Sequence, residues 1–202
     1  MMEVGKMGTV TRLDIPAEPE RIRALRIGDE LRVWGRIITA RDMAHKYLVE
    51  QRPESMKDLL RGALLYHCGP IMTRSGADWH VVAAGPTTSS REEPYEATVI
   101  EQYQIAGAIG KGGMGDKTSA ALKQFGAVYL HAVGGAGSLL ARCVKKVDEV
   151  RMLEEFGVPE AFWVLHVEDF PVVVTMDSEG GSLHRKVLKE SEVHYRRLMG
   201  LT

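Results

Sequence analysis

Hydrophobic and polar positions change along the chain in short runs, and each run carries the period of one kind of element. Residues 8–15 (GTVTRLDI) alternate and predict a first strand, followed by a loop or short helix over 16–25. Residues 30–38 (ELRVWGRII) put Leu31, Val33, Gly35 and Ile37 on one face, the two-residue repeat of a strand. From 41 to 51 the period lengthens. Met43, Lys46, Tyr47 and Glu50 follow i, i+3, i+4 and i+7, which predicts a helix that Pro53 ends. Residues 62–67 (GALLYH) and 79–84 (WHVVAA) are apolar runs that read as buried strands. Each runs into a Gly-Pro pair, Gly69-Pro70 and Gly85-Pro86. A helix with proline in its first turn is predicted over 94–103, a strand over 105–109 and a helix over 117–125. A strand over 127–133 and a helix from 136 to about 144 follow. Residues 162–167 and 171–176 predict a strand pair joined through Glu168-Asp169-Phe170, and 183–198 a basic amphipathic helix. The expected class is α/β or α+β, with a mixed sheet and helices in layers, as one domain over 1–202 without internal repeats.

Composition narrows the function more than the fold. The chain has 26 Lys+Arg against 27 Asp+Glu, a net charge of −1, and 45% hydrophobic residues. That balance argues against disorder and against nucleic-acid binding by bulk attraction. Two cysteines, Cys68 and Cys143, can build neither a disulfide framework nor a four-thiolate zinc site. No apolar run reaches the roughly 18 residues of a membrane span, and residues 1–13 lack the apolar core of a secretory signal. A soluble cytoplasmic protein is expected. Glycine, at 21 of 202, is in excess and clustered, with five between Gly107 and Gly115 and three between Gly134 and Gly137. Such clusters suit turns where backbone amides approach something closely.

Three loops carry candidate chemistry. Gly110-Lys111-Gly112-Gly113-Met114-Gly115 satisfies G-x-G-x-x-G, but nothing acidic lies between Asp116 and Asp148 to hold a ribose hydroxyl. It reads either as a turn with an exposed lysine or as an anion site in which Lys111 supplies charge and the glycines supply donors. Gly85-Pro86-Thr87-Thr88-Ser89-Ser90-Arg91 offers four hydroxyls closed by an arginine fork. Its plainer reading is a loop with Ser89 or Ser90 capping a helix. In Thr39-Ala40-Arg41-Asp42-Met43-Ala44-His45, Thr39 is a candidate cap that would put Arg41 in the first turn against the helix dipole. A lone His45 reads first as a packed or hydrogen-bonded side chain. Cys68 beside His67 reads as a buried structural thiol, since neighbours on a strand face opposite ways, and Cys143 reads as core. The remaining histidines show no metal-ligand spacing.

Taken in order, these loops are specific. With Val133-Gly134-Gly135-Ala136 and Val167-Glu168-Asp169-Phe170-Pro171, over roughly 31–181, the chain resembles the β subunit, or equivalent C-terminal domain, of class I fumarase and L-tartrate dehydratase. The resemblance implies a swivelling β/β/α domain and reversible hydration of a dicarboxylate, fumarate to L-malate, or dehydration of tartrate. It implies a 4Fe–4S cluster acting as Lewis acid and held by the three cysteines of a partner α subunit, with which the count of two cysteines in this chain agrees. Arg41, Arg91 and Lys111 match the positions that grip substrate carboxylates, and Thr87 the proposed proton acceptor, shared with Lys111 as the catalytic pair. His45 is expected to support the site from behind, and Asp42 to orient Arg41. No metal ligand is assigned to this chain, and a hetero-oligomer is implied. The alternative is a stand-alone anion- or nucleotide-binding module built on Gly110–Gly115. The chain departs from the family at His67-Cys68 and in its extra glycines after Lys111.

Overall fold

The computed structural model describes residues 10–201, so Gly8 and Thr9 of the first expected strand lie outside the described residues. In chain order the elements are β1 (Thr11–Ile15), α1 (Pro19–Arg23), β2 (Glu30–Thr39), α2 (Asp42–Gln51), α3 (Lys57–Leu60), β3 (Leu64–Tyr66), β4 (Ile71–Ser75) and β5 (Asp78–Ala83). They continue with α4 (Glu93–Tyr103), β6 (Gly107–Gly110), α5 (Asp116–Phe125), β7 (Val128–His131), α6 (Gly137–Cys143), β8 (Val144–Arg151), α7 (Leu153–Phe156), β9 (Phe162–Met176) and α8 (Leu183–Met199).

Seven strands form one mixed sheet in the order β1-β2-β3-β6-β7-β9-β8. The first five of these run parallel, while β9 is antiparallel to β2, β7 and β8. Because β9 pairs with both β2 and β7, the sheet curls back on itself and encloses apolar side chains. The two-residue repeat sorts each strand between two cores. In β3, Leu64 and Tyr66 face the enclosed core with Trp163 and Phe170. Leu65 faces outward into a second core, where Ala44 and Leu48 of α2, Val99, Ile100 and Tyr103 of α4, and Leu122 of α5 cover the sheet. The layered mixed α/β architecture expected from the sequence is what is found.

Several local expectations are corrected. The α2 face that looks periodic, Met43 with Lys46 and Glu50, points to solvent, and the buried face is Ala44, His45 and Leu48. Small Ala44 and polar His45 hide that stripe from a hydrophobic count. Thr39 does not cap α2. It is buried in β2, where its hydroxyl donates to the Ala161 carbonyl (3.1 Å) and accepts from the Trp163 amide (3.0 Å). Arg41 occupies the cap position with extended backbone, so no cation sits inside the first turn. The 79–84 run is not a buried strand: β5 pairs only with β4, in a separate two-stranded sheet that alternates half-buried and exposed. The two strands expected over 162–176 are one 15-residue strand. Its bulge opposite β2 holds Asp169 at φ 57°, so turn-forming residues sit inside a continuous ladder.

Candidate active site

Four parallel strands end on one rim, and each hands the chain to a loop that carries unusual residues. Arg41 follows β2, Gly69 follows β3, Lys111 follows β6, and Gly134 lies just beyond β7. Ligand sites in open α/β sheets form outside the carboxyl ends of strands, where loops diverge. The β4–β5 hairpin then brings residues 85–91 back over this rim. There the Thr87 amide donates to the His67 carbonyl (2.6 Å), the Lys111 amide to the Thr87 carbonyl (3.3 Å), and the Ser89 amide to the Lys111 carbonyl (3.0 Å). Backbone pairing therefore sets Thr87 beside Lys111, although 24 positions separate them in the chain.

Arg41 and Arg91 meet at a shared carboxylate. Arg91 forks onto Asp42, Nε to Oδ1 at 3.0 Å and Nη2 to Oδ2 at 2.6 Å, while Arg41 Nη2 is 3.8 Å from the same Oδ2. Asp42 thus orients Arg91 first and Arg41 only weakly. This hydrogen bond also holds the Arg91 pKa above its ordinary value. The main ion partner of Arg41 is Glu160, at 3.4 Å from Nε, a residue that the sequence reading missed. That approach is poorly aligned, so the buried Nε has no hydrogen-bond partner among the described residues. Gly69 is glycine for this reason: a Cβ there would lie 2.8 Å from Arg41 Cδ and from the Pro159 carbonyl. Lys111 has no carboxylate at ion-pair distance among the described residues. On one rim, among the described residues, are thus a lysine without a carboxylate partner, an arginine whose Nε makes no hydrogen bond, and an arginine paired with an aspartate.

Behind the rim lies a buried polar cluster. His45 Nε2 and His67 Nε2 lie 2.9 and 3.1 Å from Glu96 Oε2. His45 Nδ1 is 3.0 Å from the Arg41 carbonyl, His67 Nδ1 is 2.8 Å from Ser89 Oγ, and the Tyr129 hydroxyl donates to Ser89 Oγ at 2.8 Å. Glu92 is also buried, 3.5 Å from His45 Nδ1, and neither of its oxygens has a hydrogen-bond partner among the described residues. Burial alone would lower the His45 pKa, but the Glu96 hydrogen bond and the Glu96 and Glu92 charges override it and raise it to about 9. Burial lowers His67 and raises Glu92 to about 7. Glu96 stays well below the ordinary carboxylate range because both histidines outweigh its burial. Ser89 is therefore no helix cap; its hydroxyl is spent in this cluster. Gly110 makes room for it, since a Cβ there would collide with Ser89 Oγ. Sequence reasoning missed Glu92, Glu96 and Tyr129, and it read Ser89 only as a loop hydroxyl or helix cap and His67 only as a neighbour of Cys68. A signal was present: Glu92 and Glu96 fall on the same helical stripe as Val99, Ile100 and Tyr103, where carboxylates do not belong unless they are partnered.

The glycine-rich loop does not offer its helix to a phosphate. Glu93 already takes the amides of Gly115 (2.7 Å), Lys117 (3.1 Å) and Thr118 (3.3 Å), and the Thr118 hydroxyl (2.7 Å). An internal carboxylate thus fills the place where a pyrophosphate would sit. Nor do the cysteines suit an iron–sulfur cluster. Cys68 is buried with its thiol pushed up to about 12, while half-buried Cys143 directs its sulfur at the Asp169 carbonyl (3.6 Å). A cavity of about 480 Å³ lies elsewhere, lined by residues such as Ile22, Arg61 and Phe125, away from the rim's cations. No helix among the described residues is long and apolar enough to cross a membrane.

The structure is a layered α/β domain that gathers cations from separate loops at the carboxyl ends of parallel strands. Comparison with known proteins makes this specific. The family model described as "Fumarase C-terminus" matches residues 3–187, so the chain belongs to that family, over a wider span than the 31–181 of the motif resemblance. It is 49% identical over 183 residues to "Putative fumarate hydratase class I" of Geobacillus stearothermophilus, covering 90% of this chain but 35% of that relative. It is 40% identical over 183 residues to "Putative L(+)-tartrate dehydratase subunit beta" of Methanocaldococcus jannaschii, covering 89% of this chain and 94% of that one. Identity to "L(+)-tartrate dehydratase subunit beta" of Escherichia coli (strain K12) is 36% over 172 residues, 85% of each chain. The chain thus spans about a third of the first relative and most of the other two.

Proposed function

We propose that this chain is the β subunit of a cytoplasmic iron–sulfur-dependent hydro-lyase that adds water to fumarate, or removes it from malate or tartrate, at a site shared with an α subunit. The single observation that carries the reading is the trio on the rim: Arg41, Arg91 and Lys111 come from three loops, and two of them lack a well-made partner of their own. A dicarboxylate needs at least two fixed cations, and each contact strengthens when a partner surface excludes water. Arg91 exchanges Asp42 for one substrate carboxylate, Arg41 donates from the exposed part of its guanidinium, and Lys111 holds the other end. Thr87, beside Lys111, first gives its hydroxyl proton to solvent and, as the alkoxide, takes the proton from the carbon next to the one that bears the hydroxyl. The C–O bond breaks, and the departing hydroxide takes up a solvent proton and leaves as water. The ammonium lowers the cost of charge on a hydroxyl that is otherwise a poor base. The cluster, held by the α subunit, supplies the Lewis acid for the substrate hydroxyl.

The test is anaerobic reconstitution of the full chain with an α subunit of the same family, assayed against fumarate, malate and tartrate. Arg91→Ala and Lys111→Ala are each expected to lower kcat/KM on the order of 10²-fold or more. Undiminished turnover in both variants would remove the site assignment, and an inactive wild-type complex would remove the hydro-lyase reading.

A further inference from the structure

We propose that Glu96 is the positioning residue of this site: two hydrogen-bond chains, one from the Arg41 corner and one from the Ser89 turn, end on its carboxylate and fix the spacing of the loops that carry Arg41, Thr87 and Lys111. The inference rests on the hydro-lyase reading for its kinetic consequence, while the network stands on geometry alone.

The proton directions follow from what each atom is able to do. On the first chain, the Arg41 carbonyl only accepts and the Glu96 carboxylate only accepts. His45 lies between them, with Nδ1 at 3.0 Å from one and Nε2 at 2.9 Å from the other, so both ring nitrogens donate and the ring is an imidazolium. Its raised pKa agrees with this assignment. On the second chain, His67 Nε2 donates to the same Glu96 oxygen at 3.1 Å. Held neutral by burial, His67 must then accept at Nδ1, and the Ser89 hydroxyl 2.8 Å away donates to it. Ser89 Oγ in turn accepts from the Tyr129 hydroxyl. The His67 chain thus donates toward Glu96 at every step, while His45 donates both to Glu96 and, on its other side, to the Arg41 carbonyl; the two rings share one Glu96 oxygen, Oε2.

Each chain begins at a backbone point that sets a cation. The Arg41 carbonyl marks the corner where β2 becomes α2, from which the Arg41 side chain leaves. The Ser89 amide donates to the Lys111 carbonyl, and the Lys111 amide donates to the Thr87 carbonyl. One buried anion therefore ties the loop after β2 to the loop after β6 and to the returning hairpin. The groups facing His45 are the Arg41 carbonyl, the carboxyl of Glu92 at the cap of α4, the carboxyl of Glu96 inside α4, and the His67 ring with its centroid 5.1 Å away. The three ligand atoms of His45, His67 and Glu96 lie within 4.8 Å of one another, as in a metal cradle. Their N···O spacings are those of hydrogen bonds, and protons account for all of them.

The test uses the reconstituted complex with Glu96→Gln and Ser89→Ala, the second cutting one chain while leaving the buried charges in place. Both variants are expected to keep assembling, to lose kcat on the order of 10²-fold and to raise KM for the dicarboxylate, as displaced binding loops do. In Glu96→Gln the alkaline fall of kcat/KM moves to lower pH, because His45 loses the anion that keeps it charged; a merely structural role would leave this profile in place. Nitrogen NMR of the full chain at pH 7.5 is expected to show both His45 nitrogens protonated, and Glu96→Gln to shift the Arg41, Ser89 and Lys111 amides together. Unchanged kinetics in both variants of an active complex, amides that fail to respond, or a stoichiometric divalent metal in the purified chain would each overturn the proposal. If the wild-type complex has no activity, the hydro-lyase reading fails and the NMR result alone decides for or against the hub.

Discussion

The rim and the cluster beneath it are both rich in charge, yet they use it in opposite ways. On the rim, Arg91 is 57% exposed and its pairing with Asp42 is screened by water. Such a pair contributes little to stability and costs little to break, so its partner exchanges readily. Beneath it, His45, His67 and Glu96 are fully buried, and each lost partner strands a charge without solvent. The contrast separates two tasks that one set of side chains could not perform together: cations that must let go of their partners, and a frame that must not.

This difference can be tested by stability, and the largest effect should come from the frame. Glu96→Ala removes the acceptor on which both buried histidines rely, so that each strands a donor or gives up its proton, and a loss of about 3–5 kcal/mol is expected, read as a fall in Tm on the order of 10 °C. A pH series comes next. His45, raised to about 9 from 6.5, contributes stability that is complete below pH 6.5 and lost as pH rises through 9. Glu92, raised to about 7 from 4.5, acts with the same sign and loses its contribution as pH rises through 7. Tm should therefore fall by a few degrees from pH 7 to 10, and His45→Gln should flatten the upper part of that fall. Gly110→Ala forces a methyl group onto Ser89 Oγ, and about 1–3 kcal/mol should be lost in thermal melts. The smallest stability effect belongs to the rim: Arg91→Ala should change stability by no more than about 0.5 kcal/mol while activity collapses. A large fall in Tm for Arg91→Ala, or none for Glu96→Ala, would erase the distinction.

The rim was far more legible in sequence than the frame, for a physical reason. Arg41, Thr87, Arg91 and Lys111 sit in loops marked by glycine, proline and hydroxyl residues, and those loops stand out one at a time. The frame is assembled from single residues of α2, β3's end, α4 and β7, each of which looks like a stray polar group in an apolar run. Only the Glu92–Glu96 spacing on the buried stripe of α4 hinted at it. For the fold, alternation located β2, β3 and β7, whose faces are buried. It overlooked β8 (VKKVDEVR), an edge strand whose exposed lysines and acids mask its pairing with β9. Glu168-Asp169-Phe170 read as a connection between two strands, yet β9 runs through it, and Pro171 falls between Val167, where pairing with β8 ends, and Val173, where pairing with β7 begins, so no partner misses its amide on that edge.

The closure of the sheet by β9 also dictates an order of events as the chain is made. β2 is complete at Thr39, but its antiparallel partner is the stretch Val164–Val173, more than a hundred residues later. Until that stretch leaves the ribosome, one edge of β2 stays unpaired and the enclosed core lacks Trp163, Leu165 and Phe170. Long-range pairings of this kind slow folding and leave apolar edges open to other nascent chains. Synthesis of β9 is thus the step at which the whole barrel-like core forms, and a chain truncated before β9 should be handled by the cell as an unfolded one.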